Sequence, residues 1–286
     1  MPSRLARPPR RPPGWVAPGP PPRGSLGRPD LEPADDEDLS YLAGDWRILQ
    51  KRQGHRWSLD DLVTAFVAAE QASELAASRF LDLGCGQGTV LLLLAWRFPH
   101  AHLVGLEAQS ERAAMARRSV EYNGADGRVR VLDGDLRAPS TFEQLPDFPL
   151  ITGTPPYFPR GSGTESVKTH AMPCRFELRG GVEAYLDAAQ RRLLPGGRLV
   201  LSSAALARAR VDAAAQARGL HLTHRLEVIP REGKAPLILV DVFSRGLDPR
   251  AAPPRVAELV VRGRSLQWTQ AFIEVRERFG MPTRPP

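Results

Sequence analysis

The chain has 286 residues, of which 42% are apolar and 25% charged, with a formal net charge of +7. This is enough to bury a full core, and it suits one α/β domain with extensions. Two cysteines, Cys85 and Cys174, and six scattered histidines offer neither a disulfide framework nor a zinc spacing, and the apolar run at residues 90–96 is far too short to span a membrane. The expectation is a cytoplasmic protein with no metal and no membrane partner.

The charge is unevenly spread. Residues 1–29 carry six arginines and no acid, residues 30–169 sum to −7, and residues 170–286 sum to +8. A basic carboxy-terminal half suits a phosphate-bearing partner, although much of that charge also fits solvated helix surface.

Residues 1–35 are rich in Pro, Arg and Gly, and their composition predicts a disordered tail. Residues 36–286 form the expected folded domain, with a lead-in over 36–78, a core over 79–245 and an extension over 246–286. In the lead-in, Ser58 is a plausible N-cap for a helix carrying Leu62, Val63, Phe66 and Val67, with Asp60 and Asp61 in its first turn. From Arg79 the pattern alternates. Strands are expected at 79–83, 102–106, 128–132, 149–153 and 197–202, and helices at 89–98, 110–122, 181–194 and 204–218. Such alternation predicts a parallel sheet covered on both faces. Residues 220–229 and 236–243 read as a closing hairpin, followed by one more strand at 258–262 and a helix at 269–279.

The strand at 79–83 runs into Gly84, Gly86 and Gly88, and then into an apolar helix. Glycines at such a turn let backbone approach a ligand closely at a helix amino-terminus. Glu107 closes the next strand, near the offset at which a carboxylate takes a ribose diol. With Asp82 before the loop, this resembles the S-adenosylmethionine (SAM) cradle of class I methyltransferases. The resemblance implies a Rossmann-like, mostly parallel seven-stranded sheet with an antiparallel closing hairpin. It also implies SAM as cofactor. Asp82 would help hold the methionine amine and Asp135 would receive the adenine amino group, with Asp133 the competing choice.

Thr154, Pro155, Pro156, Tyr157 and Phe158 follow the fourth strand at its carboxyl end, where open α/β sheets build their sites. They resemble the (N/D/S)-P-P-(Y/F) loop of enzymes that methylate exocyclic or amide nitrogens. There the leading polar side chain and the first proline's carbonyl accept from the target NH₂, and the aromatic residue stacks on the base. Threonine stands here where asparagine is usual, and its hydroxyl has a shorter reach. Gln50, Gly54, Arg56, Ser58 and Asp60 are further similar to a pattern preceding the cofactor loop in bacterial tRNA1(Val) (adenine37-N6)-methyltransferases. His55 replaces that pattern's usual aromatic residue. Arg175–Glu177, the Leu-Leu-Pro-Gly-Gly turn at 193–197 and Trp268-Thr269 extend the similarity.

The resemblance implies adenine-N6 methylation of tRNA or another structured RNA by direct in-line transfer. Thr154, Pro155 and Tyr157 would be the catalytic residues, with Arg56, Asp60, Pro156 and Phe158 contacting substrate. The alternatives are protein glutamine-N5 or rRNA guanine-N2 methylation, or a catalytically impaired SAM-binding module.

Overall fold

The computed structural model describes residues 12, 14–54, 56–157, 180–246 and 252–283. Its elements are β1 (Glu37–Tyr41), β2 (Arg47–Lys51), α1 (Leu59–Glu74), β3 (Arg79–Leu83), α2 (Thr89–Arg97), β4 (His102–Glu107), α3 (Ser110–Tyr122), β5 (Val129–Asp133) and β6 (Phe148–Gly153). They continue with α4 (Val182–Arg192), β7 (Leu193–Ala204), α5 (Arg208–Gln216), β8 (Leu220–Ile229), β9 (Ile238–Arg245), β10 (Arg255–Val260) and α6 (Gln270–Arg278).

Eight strands form one mixed sheet in the order β5-β4-β3-β6-β7-β9-β8-β10. The first five pair in parallel, while β9 runs antiparallel between β7 and β8. Side chains alternate between the faces. Phe80 and Val200 pack with α1, α2, α3 and α6, whereas Leu81, Leu83, Leu199 and Leu201 pack with α4 and α5. Helix α2 is apolar all round and correspondingly buried. The eighth strand departs from the expected seven. The extension supplies β10, which pairs in parallel along β8 and covers an edge that would otherwise present unpaired backbone groups.

Charge is also buried within the sheet. Register partners Arg225 and Asp241 form a bidentate pair at 2.7 and 2.9 Å, and Arg225 adds a bond to Asp212 at 2.6 Å. Asp241 and Arg225 are both buried, so each ion depends on the other for compensation.

Composition predicts disorder over residues 1–35, but the described part of this segment is packed on the body. Leu31 is buried, Gly24 donates its N–H to the Tyr122 carbonyl at 2.9 Å, and Arg23 pairs with Asp126 at 2.7 Å. A Cβ on Gly19 would lie 2.8 Å from the Trp96 ring, and one on Gly280 would lie 2.7 Å from Pro18. The segment has no core of its own and uses Trp96 and α3 instead. Its prolines reduce the entropy that ordering costs.

A separate hairpin, β1–β2, lies on α3. Ser119 and Asn123 accept from the Leu49 and Arg47 amides at 3.0 and 2.9 Å, which satisfies β2's outer backbone. The hairpin thereby fixes Gln50, whose Oε1 accepts from Trp57 N–H at 2.9 Å and from Gln87 Nε2 at 3.1 Å. The lead-in is thus bonded directly to the glycine loop.

Candidate active site

At the carboxyl ends of β3, β4, β5 and β6 the loops enclose a cleft of about 790 Å³, counting its open mouth. Its wall includes Gly84, Gly86, Glu107, Asp135 and Thr154 of the expected residues, together with Asp61, Arg112 and Tyr185, which were not expected there.

Two glycines of the loop differ in what makes them glycine. Both have positive φ, 61° at Gly84 and 58° at Gly86. A Cβ on Gly84 would lie 2.2 Å from the Tyr185 hydroxyl, so protein packing excludes it. A Cβ on Gly86 would meet nothing closer than Arg112, at 3.6 Å, and would project into the cleft. The space at Gly86 is therefore free for a ligand. Gly88 is the N-cap of α2 and packs against Ala116.

Glu107 is buried and held by two amides: Gly86 N–H reaches Oε2 at 2.9 Å and Gln109 N–H reaches Oε1 at 2.7 Å. Each oxygen keeps a further lone pair, which a vicinal diol can use. Asp135 lines the cleft and pairs with Arg137, whereas Asp133 faces away and pairs with Arg117. The geometry separates two acids that the sequence left as alternatives.

Asp82 is buried but is not part of the cleft wall. It accepts from the Thr152 hydroxyl at 2.7 Å, and burial, with Glu107 nearby, pushes it up to about 7. Asp61 is the carboxylate that reaches the cleft from the opposite side. Its Oδ2 accepts from Ser58 N–H at 3.0 Å, closing the first turn of α1. Burial, reinforced by Asp60, raises it well above the ordinary carboxylate range, and Arg112 across the cleft opposes that rise. The Cys85 thiol is buried, pushed up by desolvation, and packs under Gly105 as a structural group.

Thr154 and Pro156 line the cleft, and Pro155, Pro156 and Tyr157 line an adjoining pocket with Ser202, Ser203 and Val182. The Tyr157 hydroxyl donates to Asp60 at 2.9 Å and lies 3.2 Å from Ser202 Oγ. Asp60 is accordingly a partner of the Pro-Pro loop. Arg56 is not in the cleft. It forms a bidentate pair with Asp38 at 2.8 and 2.9 Å and bonds Ser40, so its guanidinium is used within the lead-in. Phe158, His55 and Arg175–Glu177 lie outside the described residues.

Sequence reasoning missed Asp61, Arg112 and Tyr185 as site residues. Asp61 read as a helix-dipole partner, which it also is. Arg112 sits on an otherwise ordinary charged helix face. Tyr185 carries one signal, being the sole aromatic residue in the small-residue helix α4.

The sheet order, the glycine cleft and the acidic residue at the end of β4 are those of the class I methyltransferase fold, and a methyltransferase-domain family model matches residues 80–159. The chain is similar to a tRNA1(Val) (adenine(37)-N6)-methyltransferase of Tolumonas auensis, at 29% identity over 71% of this chain and 82% of that protein. It is also similar to the release factor glutamine methyltransferase of Geobacter sulfurreducens, at 35% identity, over 47% of this chain and about half (49%) of that protein. Among solved structures, a predicted O-methyltransferase from Agrobacterium tumefaciens shares the fold, with a TM-score of 0.58, 22% identity, and coverage of 76% of this chain and 97% of that one. No helix among the described residues is long and apolar enough to cross a membrane.

Proposed function

We propose that this enzyme methylates the exocyclic N6 of an adenine in tRNA, with SAM as the methyl donor. The observation that carries the reading is the position of the Thr154–Tyr157 loop, on the cleft wall beside the glycine loop. SAM, when bound, supplies an electrophilic methyl group on a sulfonium. The residues present fit it: Gly86 leaves space, Glu107 can take a diol, Asp135 can accept from an adenine amino group, and Asp61 and Arg112 can pair with the charged methionine end.

An adenine N6 lone pair is delocalised into its ring, so the protein's task is to orient that lone pair and let positive charge leave as the bond forms. The Thr154 hydroxyl and the Pro155 carbonyl accept from the two N–H groups. The Tyr157–Asp60–Ser202 bonds hold the loop in place, so its acceptors need no rearrangement when substrate arrives. An exposed anticodon-loop base suits such an enzyme, because it can be turned out at little unpairing cost. The cytoplasm is the expected location.

The similarity to a release factor glutamine methyltransferase favours a second reading, amide-nitrogen methylation of a protein. Labelled SAM incubated with tRNA, ribosomal RNA and release-factor fractions distinguishes the two. Label in tRNA that is recovered as N6-methyladenosine supports the proposal, whereas label confined to protein replaces it with the amide reading. Thr154→Asn should raise turnover on tRNA. A loss of one or two orders of magnitude would instead mean that the threonine is matched to another acceptor.

A further inference from the structure

The eighth strand has a consequence for the substrate side of the molecule. Across the sheet, Gly153 at the end of β6 is level with Leu201, Asp241, Arg225 and Val256 of β7, β9, β8 and β10. Strands β8 and β10 both point toward the site face and continue past that row to Ile229 and Val260. Four residues of strand add about 13 Å, and four strand spacings set β10 about 19 Å to the side of β6. The loops that follow, residues 230–237 and 261–268, therefore form a raised rim roughly 20 Å from Thr154.

The two loops are bonded into one surface. Glu232 N–H donates to the Arg262 carbonyl at 2.8 Å, Val261 N–H to the Ile229 carbonyl at 2.8 Å, and Arg264 Nε to Glu232 at 3.0 Å. The rim carries Arg231, Lys234, Arg262 and Arg264, all exposed, against the single carboxylate Glu232. Arg231 and Lys234 have no side-chain bond or ion pair among the described residues. Arg262 bonds only the Leu266 carbonyl, and Arg264 is 86% exposed despite its pair. Elsewhere Arg117, Arg118, Arg210 and Arg218 are each neutralised by an acid. The rim thus places four cations against one carboxylate at the same end of the sheet as the cleft.

We propose that this two-loop rim is the docking surface for the phosphate backbone of the RNA substrate. This rests on the RNA reading above. Exposed cations without a neutralising partner match regularly spaced phosphates, which give affinity and orientation without reading sequence. The rim also exposes Leu237 and Leu266, and its excess of four cations over one carboxylate is what favours RNA over a protein partner. At roughly 20 Å from Thr154 the rim would grip the RNA beside the target base.

The test is the triple variant Arg231→Ala, Lys234→Ala, Arg264→Ala, with Arg79→Ala, Arg97→Ala, Arg255→Ala as a control with equal charge loss. Total tRNA binding is measured by fluorescence anisotropy over a salt series, and SAM affinity by calorimetry. The rim variant should bind tRNA at least about tenfold more weakly, with the slope of log K against log salt reduced by about 2–3. Its SAM affinity should be unchanged, and the control should keep the wild-type slope. Equal loss in both variants, or none in the rim variant, overturns the assignment while leaving the RNA reading intact. If wild-type protein binds no RNA, both fall. If it docks an acidic protein through the rim instead, the rim's partner is not RNA.

Discussion

The Tyr157 hydroxyl lies 2.9 Å from Asp60 Oδ2, joining the Pro-Pro loop after β6 to the first turn of α1. Residues 97 positions apart thus meet at the site, and Ser202 of β7 adds a third anchor. Burial and the Asp60 charge push the phenol well above its ordinary value, so it remains a donor at neutral pH. Tyr157→Phe should cost about 1–2 kcal/mol of stability through the loss of its bonds to Asp60 and Ser202. It should also lower turnover about tenfold with SAM affinity unchanged. Turnover at the wild-type level would show that the loop needs no such anchor.

Gly84 and Gly86 should respond differently to substitution. Gly84→Ala drives a methyl into the Tyr185 hydroxyl and should destabilise the fold, and Tyr185→Phe should partly rescue it. Gly86→Val projects into open cleft, so the protein should fold with only the cost of positive φ, about 1–2 kcal/mol, yet fail to bind SAM. Thermal melts and calorimetry separate the two outcomes.

Asp61, unlike Asp82, lies on the cleft wall. Asp61→Asn keeps an acceptor for the Ser58 amide, so α1 should remain intact. Affinity for SAM and S-adenosylhomocysteine should fall at least about tenfold, while 5′-methylthioadenosine, which lacks the amino-acid end, should bind as before. An equal loss for all three ligands would place the defect in the fold instead.

Asp82 predicts a pH dependence of stability. Its folded value of about 7 lies above the ordinary carboxylate value of about 4. Between these values the folded protein holds a proton that the unfolded chain has released, so stability falls as pH rises from about 4 to 7 and then levels off. Asp61 acts in the same direction. Asp82→Asn retains an acceptor for Thr152 and removes the charge. Its urea midpoint should therefore exceed wild type by more at about pH 8 than at about pH 5. A constant difference would mean that Asp82 is ionised throughout.

The amino-terminal segment should matter to stability. A chain beginning at residue 36 loses the burial of Leu31 and uncovers Trp96, a cost of at least about 2 kcal/mol from the leucine alone. Its melting temperature should drop by about 5 °C or more. An unchanged melt would show that the docked segment contributes nothing net.

From Arg79 onward the sequence by itself determined the order of strands and helices, because hydrophobic periodicity and glycine turns are local, whereas the β1–β2 hairpin of the lead-in was not read from it. It also located the glycine loop, Glu107 and the Thr154–Tyr157 loop, whose roles follow from backbone freedom and from the ends of strands. Only the tertiary structure decided which carboxylate faces the cleft. These carboxylates are chemically alike: one residue of helix rotation separates Asp60 from Asp61, Asp82 is buried within β3, and Asp133 ends β5 whereas Asp135 lies in the loop after it. The same holds for Tyr185 against Gly84 and for Pro18 and Gly19 against Trp96, since these contacts join residues far apart in the chain. Composition could not anticipate the docked segment, because the apolar surface that orders it belongs to other elements. The rim of β8 and β10 likewise depends on pairing. A strand's propensity is written in its residues, but its neighbour in the sheet is set by which edges remain open once the core has closed.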